Sequence, residues 1–201
     1  MPDLTVIAGC NGSGKSTYAS TFLPAEVTSF DYDKLYLEIY RSLQDSELRD
    51  KFAKDQTTRF FENSIKEAIS KRLHFCYETN FDSLPLYWPR TFRENGYRIN
   101  IIFFCLANQE IARHRVSVRA EFNGHFVNNE IIDLKWKAGY KNFNLYFSFF
   151  DNILIVDNSK PEKLYSNVLQ IVKGEVEMMS DVVPEYFEHR LPEIYKLIPK
   201  G

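Results

Sequence analysis

The sequence predicts an α/β domain built on a mainly parallel five-stranded sheet, and three observations carry that prediction. Short apolar runs alternate with helical patterns along most of the 201 residues, the arrangement of a parallel sheet with helices on its faces. The run Ile99–Leu106 is almost wholly apolar, as a strand buried on both faces must be. Polar, chemically capable residues follow the runs: Gly9–Ser16, Asp31 and Asp33, Glu78-Thr79-Asn80, and Asp157-Asn158-Ser159. Open α/β sheets bind ligands at the carboxyl ends of their strands.

The elements follow in order. Leu4–Ala8 reads as a short buried strand, then a Gly-rich turn and a helix to about Phe22. Val27–Phe30 is a weaker strand. Lys34–Leu43 and Ser46–Arg72 read as helices, the second with Phe52, Phe60, Phe61, Ile65, Ala68 and Ile69 at helical spacing. His74–Tyr77 is the third strand. Pro85–Glu94 is a helix stopped by Asn95-Gly96. After the strand Ile99–Leu106 come the Arg-bearing helix Gln109–Phe122 and the helix Asn129–Phe147, which carries Ile132, Trp136, Tyr140 and Phe143 on one face. Ile153–Val156 is the fifth strand and Pro161–Val172 the last core helix. Residues 1–173 then make up the main domain. Residues 174–201 form a helical tail, with Pro184–Ile198 spaced for one or two short helices.

Composition narrows the field. The chain is 44% hydrophobic and 15% aromatic, enough for a buried core. A net charge of −2 gives no reason to expect nucleic-acid or membrane partners. The cysteines, Cys10, Cys76 and Cys105, are odd in number and spaced for neither a disulfide framework nor a zinc site. A reduced, cytoplasmic setting fits them. No signal peptide and no run long enough to span a membrane is expected.

The strongest motif is Gly9-Cys10-Asn11-Gly12-Ser13-Gly14-Lys15-Ser16, with Thr17 next. It matches G-x-x-x-x-G-K-[ST] and lies between a strand and a helix. Its glycines let successive N–H groups converge on a phosphate cluster, and the following helix presents its N-terminus to the same anion. Lys15 then reaches the β- and γ-phosphates, and the Ser16 hydroxyl takes a place on Mg²⁺. ATP is the expected ligand, and the fold is the three-layer P-loop NTPase type. Cys10 is most simply a filler position. Asp33 is placed to accept a substrate proton, or merely to cap its helix; Asp31 is the weaker candidate. Glu78 would hold Mg²⁺ through water or a substrate hydroxyl, or is a solvated loop acid. Arg113, Arg115 and Arg119 form a cluster in which Arg115 and Arg119 share a helical face. Two guanidinium groups there suit a triphosphate in its transition state; an exposed surface helix is the alternative.

Together these segments, over about residues 4–159, resemble the zeta-toxin family of P-loop kinases. The resemblance rests on the phosphate loop, Phe30-Asp31-Tyr32-Asp33, Tyr77-Glu78-Thr79-Asn80, Arg115-Val116-Ser117-Val118-Arg119, the Asn123-Gly124-His125 segment and Val156-Asp157-Asn158-Ser159. It implies a nucleoside-monophosphate-kinase-like fold and transfer of phosphate from ATP to a hydroxyl of a nucleotide sugar such as UDP-N-acetylglucosamine. It implies Asp33 as general base, Arg115 and Arg119 on phosphates, and Glu78, Asn80 and His125 on the substrate side. An antitoxin protein is a candidate partner, although no antitoxin-like segment precedes the first strand. The chain departs from the family pattern at Asn80, Asn123 and Leu134-Lys135-Trp136. Other readings stay open: a kinase for a nucleoside, an antibiotic or a polynucleotide end, a non-catalytic ATP-binding regulator, or a simple ATPase.

Overall fold

A computed structural model describes residues 1–121, 128–160 and 164–199. The strands are β1 (Asp3–Ala8), β2 (Ser29–Phe30), β3 (Phe75–Thr79), β4 (Arg98–Cys105), β5 (Asn152–Asp157), β6 (Ser166–Val172) and β7 (Glu175–Met179). The helices are α1 (Lys15–Tyr18), α2 (Tyr32–Ser42), α3 (Arg49–Lys71), α4 (Tyr87–Glu94), α5 (Gln109–Glu121), α6 (Asn129–Tyr146), α7 (Tyr186–Arg190) and α8 (Pro192–Tyr195). Among the described residues they build one seven-stranded sheet in the order β2-β3-β1-β4-β5-β6-β7.

The five strands read from the sequence are the parallel part, from β2 to β5. Burial divides their side chains by pleat. Leu4, Val6 and Ala8 of β1, with Ile101 and Phe103 of β4, face one core with α4 and α6. Ile7, Ile102, Phe104 and Val156 face a second core under α1, with Tyr18 and Phe22. Burial on both faces is why β4 is almost unbroken in its apolarity.

The sheet is larger than the five strands expected. Within the segment read as a helix over Pro161–Val172, Ser166–Val172 instead forms β6, antiparallel to β5, and Glu175–Met179, placed in a helical tail, pairs with it as β7. The reason lies in the connection. Lys173 and Gly174 have φ of +51° and +87°, the left-handed pair that a two-residue hairpin turn requires. The β-branched Val168, Ile171 and Val176 then favour the pleated form. Farther on, α7 and α8 form the two short helices expected, with Phe187, Leu191 and Ile194 buried in the first core.

The ring of Phe103 stacks on Phe143 of α6 with centroids 4.0 Å apart, and both are buried. Phe103→Leu keeps most of the volume and loses the stacked pair, so we expect a loss of about 1–2 kcal/mol, read by urea denaturation. No helix among the described residues is long and apolar enough to cross a membrane.

Candidate functional site

The carboxyl ends of β1, β2, β3 and β5 open on one cleft of about 1090 Å³. The phosphate loop forms its floor. Gly14 caps α1 in the left-handed region at φ +98°, and a Cβ there would stand 2.4 Å from Asn158 Nδ2. Glycine is therefore required by both conformation and space. Asn158 is buried and donates to the Ser13 carbonyl at 2.8 Å.

Lys15 is half-buried and folds its ammonium back onto the loop, 2.6 Å from the Gly9 carbonyl, 3.1 Å from that of Cys10 and 3.5 Å from Asn80 Oδ1. Desolvation lowers its pKa, against the pull of Cys10, Glu78, Asp33 and Asp31. The carbonyls are placeholders: the ammonium has three donors and an anion would compete for them. Asn80 sits on a loop that α6 restrains, because Asn142 Nδ2 donates to the Phe81 and Asp82 carbonyls at 2.9 Å each. Cys10 is buried beneath the loop, and burial pushes its thiol up to about 11. It is thus protonated at neutral pH and a poor nucleophile.

Three carboxyl groups face the loop. Ser16 Oγ lies 2.8 Å from Asp31 Oδ2 and 2.6 Å from Glu78 Oε2. One hydroxyl proton cannot serve two carboxylates at once. An all-oxygen set of this kind, next to a phosphate loop, suits a hard divalent cation such as Mg²⁺, which takes one or two side chains and completes its shell with water and phosphate oxygens. Among the described residues no group of three His, Cys, Asp or Glu could hold a metal alone, and a Mg²⁺–nucleotide site of this type needs none.

The capping role that the sequence allowed to Asp33 falls to its neighbour. Asp31 is the N-cap of α2, accepting the Lys34 N–H at 3.0 Å. Asp33, in the first turn, is exposed on the cleft wall. Asp31 also reaches Ser16, a contact the sequence reading underrated because it needs β2 and β1 brought side by side through β3.

Glu78 is the penultimate residue of β3, and burial raises its carboxyl above its ordinary value, offset by the Ser16 contact and Lys15 and reinforced by Asp31 and Asp33. A carboxyl with a raised folded-state pKa favours the folded state below its unfolded pKa, and that contribution is lost as pH rises through the folded value. Glu78→Gln is therefore expected to melt higher than the parent at pH 7–8. The difference should close below about pH 4, where both states bind the proton. A scan of melting temperature against pH checks the sign.

The arginines separate. Arg113 pairs with Asp133 of α6 through Nε at 2.8 Å and a second contact to Oδ2, so it joins two helices. Arg115 and Arg119 line the cleft, and Arg115 Nη1 approaches the Gly12 carbonyl at 3.4 Å. His125 lies outside the described residues. Thr17 lines the cleft beside Ser16.

The sequence reading missed the far wall. Phe61 of α3, read as a core position, has its ring 5.7 Å from Trp88, 5.5 Å from Tyr77 and 6.4 Å from Tyr32. All four line the cleft beside Asp82 and Ser83. Helical spacing marks Phe61 as inward-facing, but nothing local says that the space it faces is a cavity. Lys160 and His114 on the nucleotide side were missed likewise.

A family model described as Zeta toxin matches residues 1–170 of the chain. An uncharacterised protein of Haemophilus influenzae is 27% identical over 128 residues, 64% of this chain and 88% of that protein. The structure of the PezAT chromosomal toxin–antitoxin system of Streptococcus pneumoniae aligns with 100% of this chain and 88% of its own, at a TM-score of 0.64 and 16% identity. The AvrRxo1-ORF1:AvrRxo1-ORF2 complex with sulphate ions aligns at a TM-score of 0.68 and 14% identity, over 95% of this chain and 64% of that one. At these identities the two structures speak for a shared fold.

Proposed function

The chain belongs to the zeta-toxin family of ATP-dependent phosphotransferases, and on that footing we propose that it transfers the γ-phosphate of ATP to a hydroxyl of a nucleotide sugar such as UDP-N-acetylglucosamine. The observation that carries the reading is a single cleft with two unlike walls. On one side stand Lys15, Ser16 and the loop glycines; across it stand Asp33, Glu78 and the aromatic residues Tyr32, Phe61 and Trp88. A simple ATPase needs no such second wall.

In this reading the loop N–H groups from Gly9 to Thr17, including those of Cys10, Asn11, Gly12, Ser13 and Gly14, cradle the phosphates. Lys15 exchanges its carbonyl contacts for phosphate oxygens. Ser16 would hold Mg²⁺, with Asp31 and Glu78 beside the same hydroxyl, and the ion would supply charge neutralisation for the phosphates. Asp33 accepts the proton of the attacking hydroxyl, and Arg115 and Arg119 offset charge on the transferring group. Glu78 and Asn80, with His125, orient the acceptor. The aromatic wall offers apolar faces on which a sugar or base can stack.

The toxin–antitoxin relative supports extending the proposal to an antitoxin partner, to be sought by co-purification from the native cell. The acceptor is tested by incubating the protein with ATP and Mg²⁺ against UDP-N-acetylglucosamine, other nucleotide sugars, nucleosides and a short oligonucleotide. A mass gain of one phosphate on the UDP-sugar is the expected result. Transfer to another acceptor alone would replace the substrate and keep the enzyme class.

A further inference from the structure

The helix α7 reaches back to the turn that backs the phosphate loop. Tyr186, the first residue of α7, donates its hydroxyl to Asp157 Oδ1 at 2.8 Å. The segment that carries it is anchored, since Phe187, Leu191 and Ile194 are 0% exposed. Asp157 ends β5, and its Oδ1 also accepts the Ser159 N–H at 3.1 Å and the Ser159 hydroxyl. Ser159 Oγ in turn accepts the Ala107 N–H at 2.8 Å, tying the turn to the end of β4.

Asn158 sits between these two residues. Its N–H donates to the Cys105 carbonyl at 3.1 Å, and its Nδ2 donates to the Ser13 carbonyl at 2.8 Å. The same Nδ2 is the atom that a Cβ on Gly14 would strike. One amide therefore both ties and backs the loop. The relay Tyr186–Asp157–Asn158–Ser13 runs from a segment beyond the family match, which ends at residue 170, to the floor of the nucleotide site. Burial, with Cys105 and Asp157 close by, raises the pKa of the Tyr186 phenol, so it remains a donor.

We propose that Tyr186 is a positioning residue for nucleotide binding, holding Asp157 so that the turn 157–159 sets Asn158 against the phosphate loop. The physical reason is preorganisation. A loop that presents its N–H groups without rearrangement binds an anion at lower cost than one that must first be ordered. Without the phenol, Asp157 loses one of its donors, the turn gains freedom, and the Ser13 carbonyl loses a fixed partner.

The inference rests on the phosphate loop being the ATP site. Its test titrates the full chain with ADP and Mg²⁺ by calorimetry, which needs no acceptor. Tyr186→Phe keeps the ring and its packing. It should raise the ADP Kd about 3- to 10-fold, at most what a net hydrogen bond is worth, and lower the melting temperature by no more than about 2–4 °C. Leu191→Ala loosens the same segment without touching the relay, and should lower the melting temperature while leaving Kd within about twofold, short of that hydrogen-bond effect. In the Asn158→Ala background, Tyr186→Phe should add nothing, because the two act in series. A parent-like Kd in Tyr186→Phe overturns the proposal. So does full additivity with Asn158→Ala, or a Kd shift in Leu191→Ala as large as that in Tyr186→Phe. Failure of the parent protein to bind ADP would remove the ATP-site reading itself, and is distinguishable because it needs no variant.

Discussion

Lys15→Ala is expected to abolish phosphate transfer, with kcat/KM falling by about a thousandfold or more. The side chain is the one cation among the described residues placed inside the loop, held there by the carbonyls of Gly9 and Cys10. Its pKa is lowered by desolvation, yet the surrounding acids and an incoming triphosphate all favour the charged form. Alanine removes the charge and the donor that those two carbonyls share. The loop itself should survive, since its shape depends on the glycines, on Asn158 and on the Gly9 N–H bond to the Thr79 carbonyl. ADP should still bind, more weakly, while turnover disappears. Single-turnover transfer from labelled ATP separates the two. Turnover near the parent rate would sink the assignment of Lys15 to the γ-phosphate.

Asp33→Asn is the second large effect. The change is isosteric and leaves an amide that cannot accept a proton. A lost general base costs about 10²- to 10⁴-fold in kcat, whereas ADP affinity should stay within about threefold, under 1 kcal/mol. Asp31→Asn is the informative partner. Asn caps a helix about as well as Asp, so α2 should remain, but the carboxylate beside Ser16 is gone. That variant should need more Mg²⁺ for half-maximal activity. If Asp31→Asn lost turnover at saturating Mg²⁺ and Asp33→Asn did not, the base would be the capping aspartate. Turnover measured over a series of Mg²⁺ concentrations on both variants decides between them.

The phosphate loop was legible because its chemistry is local. Eight successive residues form one anion cradle, and their spacing alone fixes it. The parallel strands were legible for a related reason: burial on both faces writes itself into β4 as an apolar run, and each loop residue with chemistry comes just after a strand. The β6–β7 hairpin was not. Its signal is the Lys173-Gly174 pair at positive φ, and Lys-Gly is a weaker turn signature than Asn-Gly. The mixed segment before it satisfies helical spacing about as well as strand alternation, and pairing with β5 is what decides in favour of the strand. The arginines show the same limit. Helical spacing set Arg115 and Arg119 apart from Arg113, but nothing along the chain names the partner of Arg113, which is Asp133 on α6.

By itself, then, the sequence determined the phosphate loop and the parallel strands of the sheet that carries it, because a phosphate cradle and a doubly buried strand are each specified by neighbours in the chain. Only the tertiary structure decided which acids meet Ser16, which residue pairs with Arg113, and which aromatics wall the cleft. It alone brought Tyr186 to Asp157, across 29 residues of chain. Those relations are set by which elements pack together, and no local pattern of residues records the identity of a partner that arrives from elsewhere in the fold.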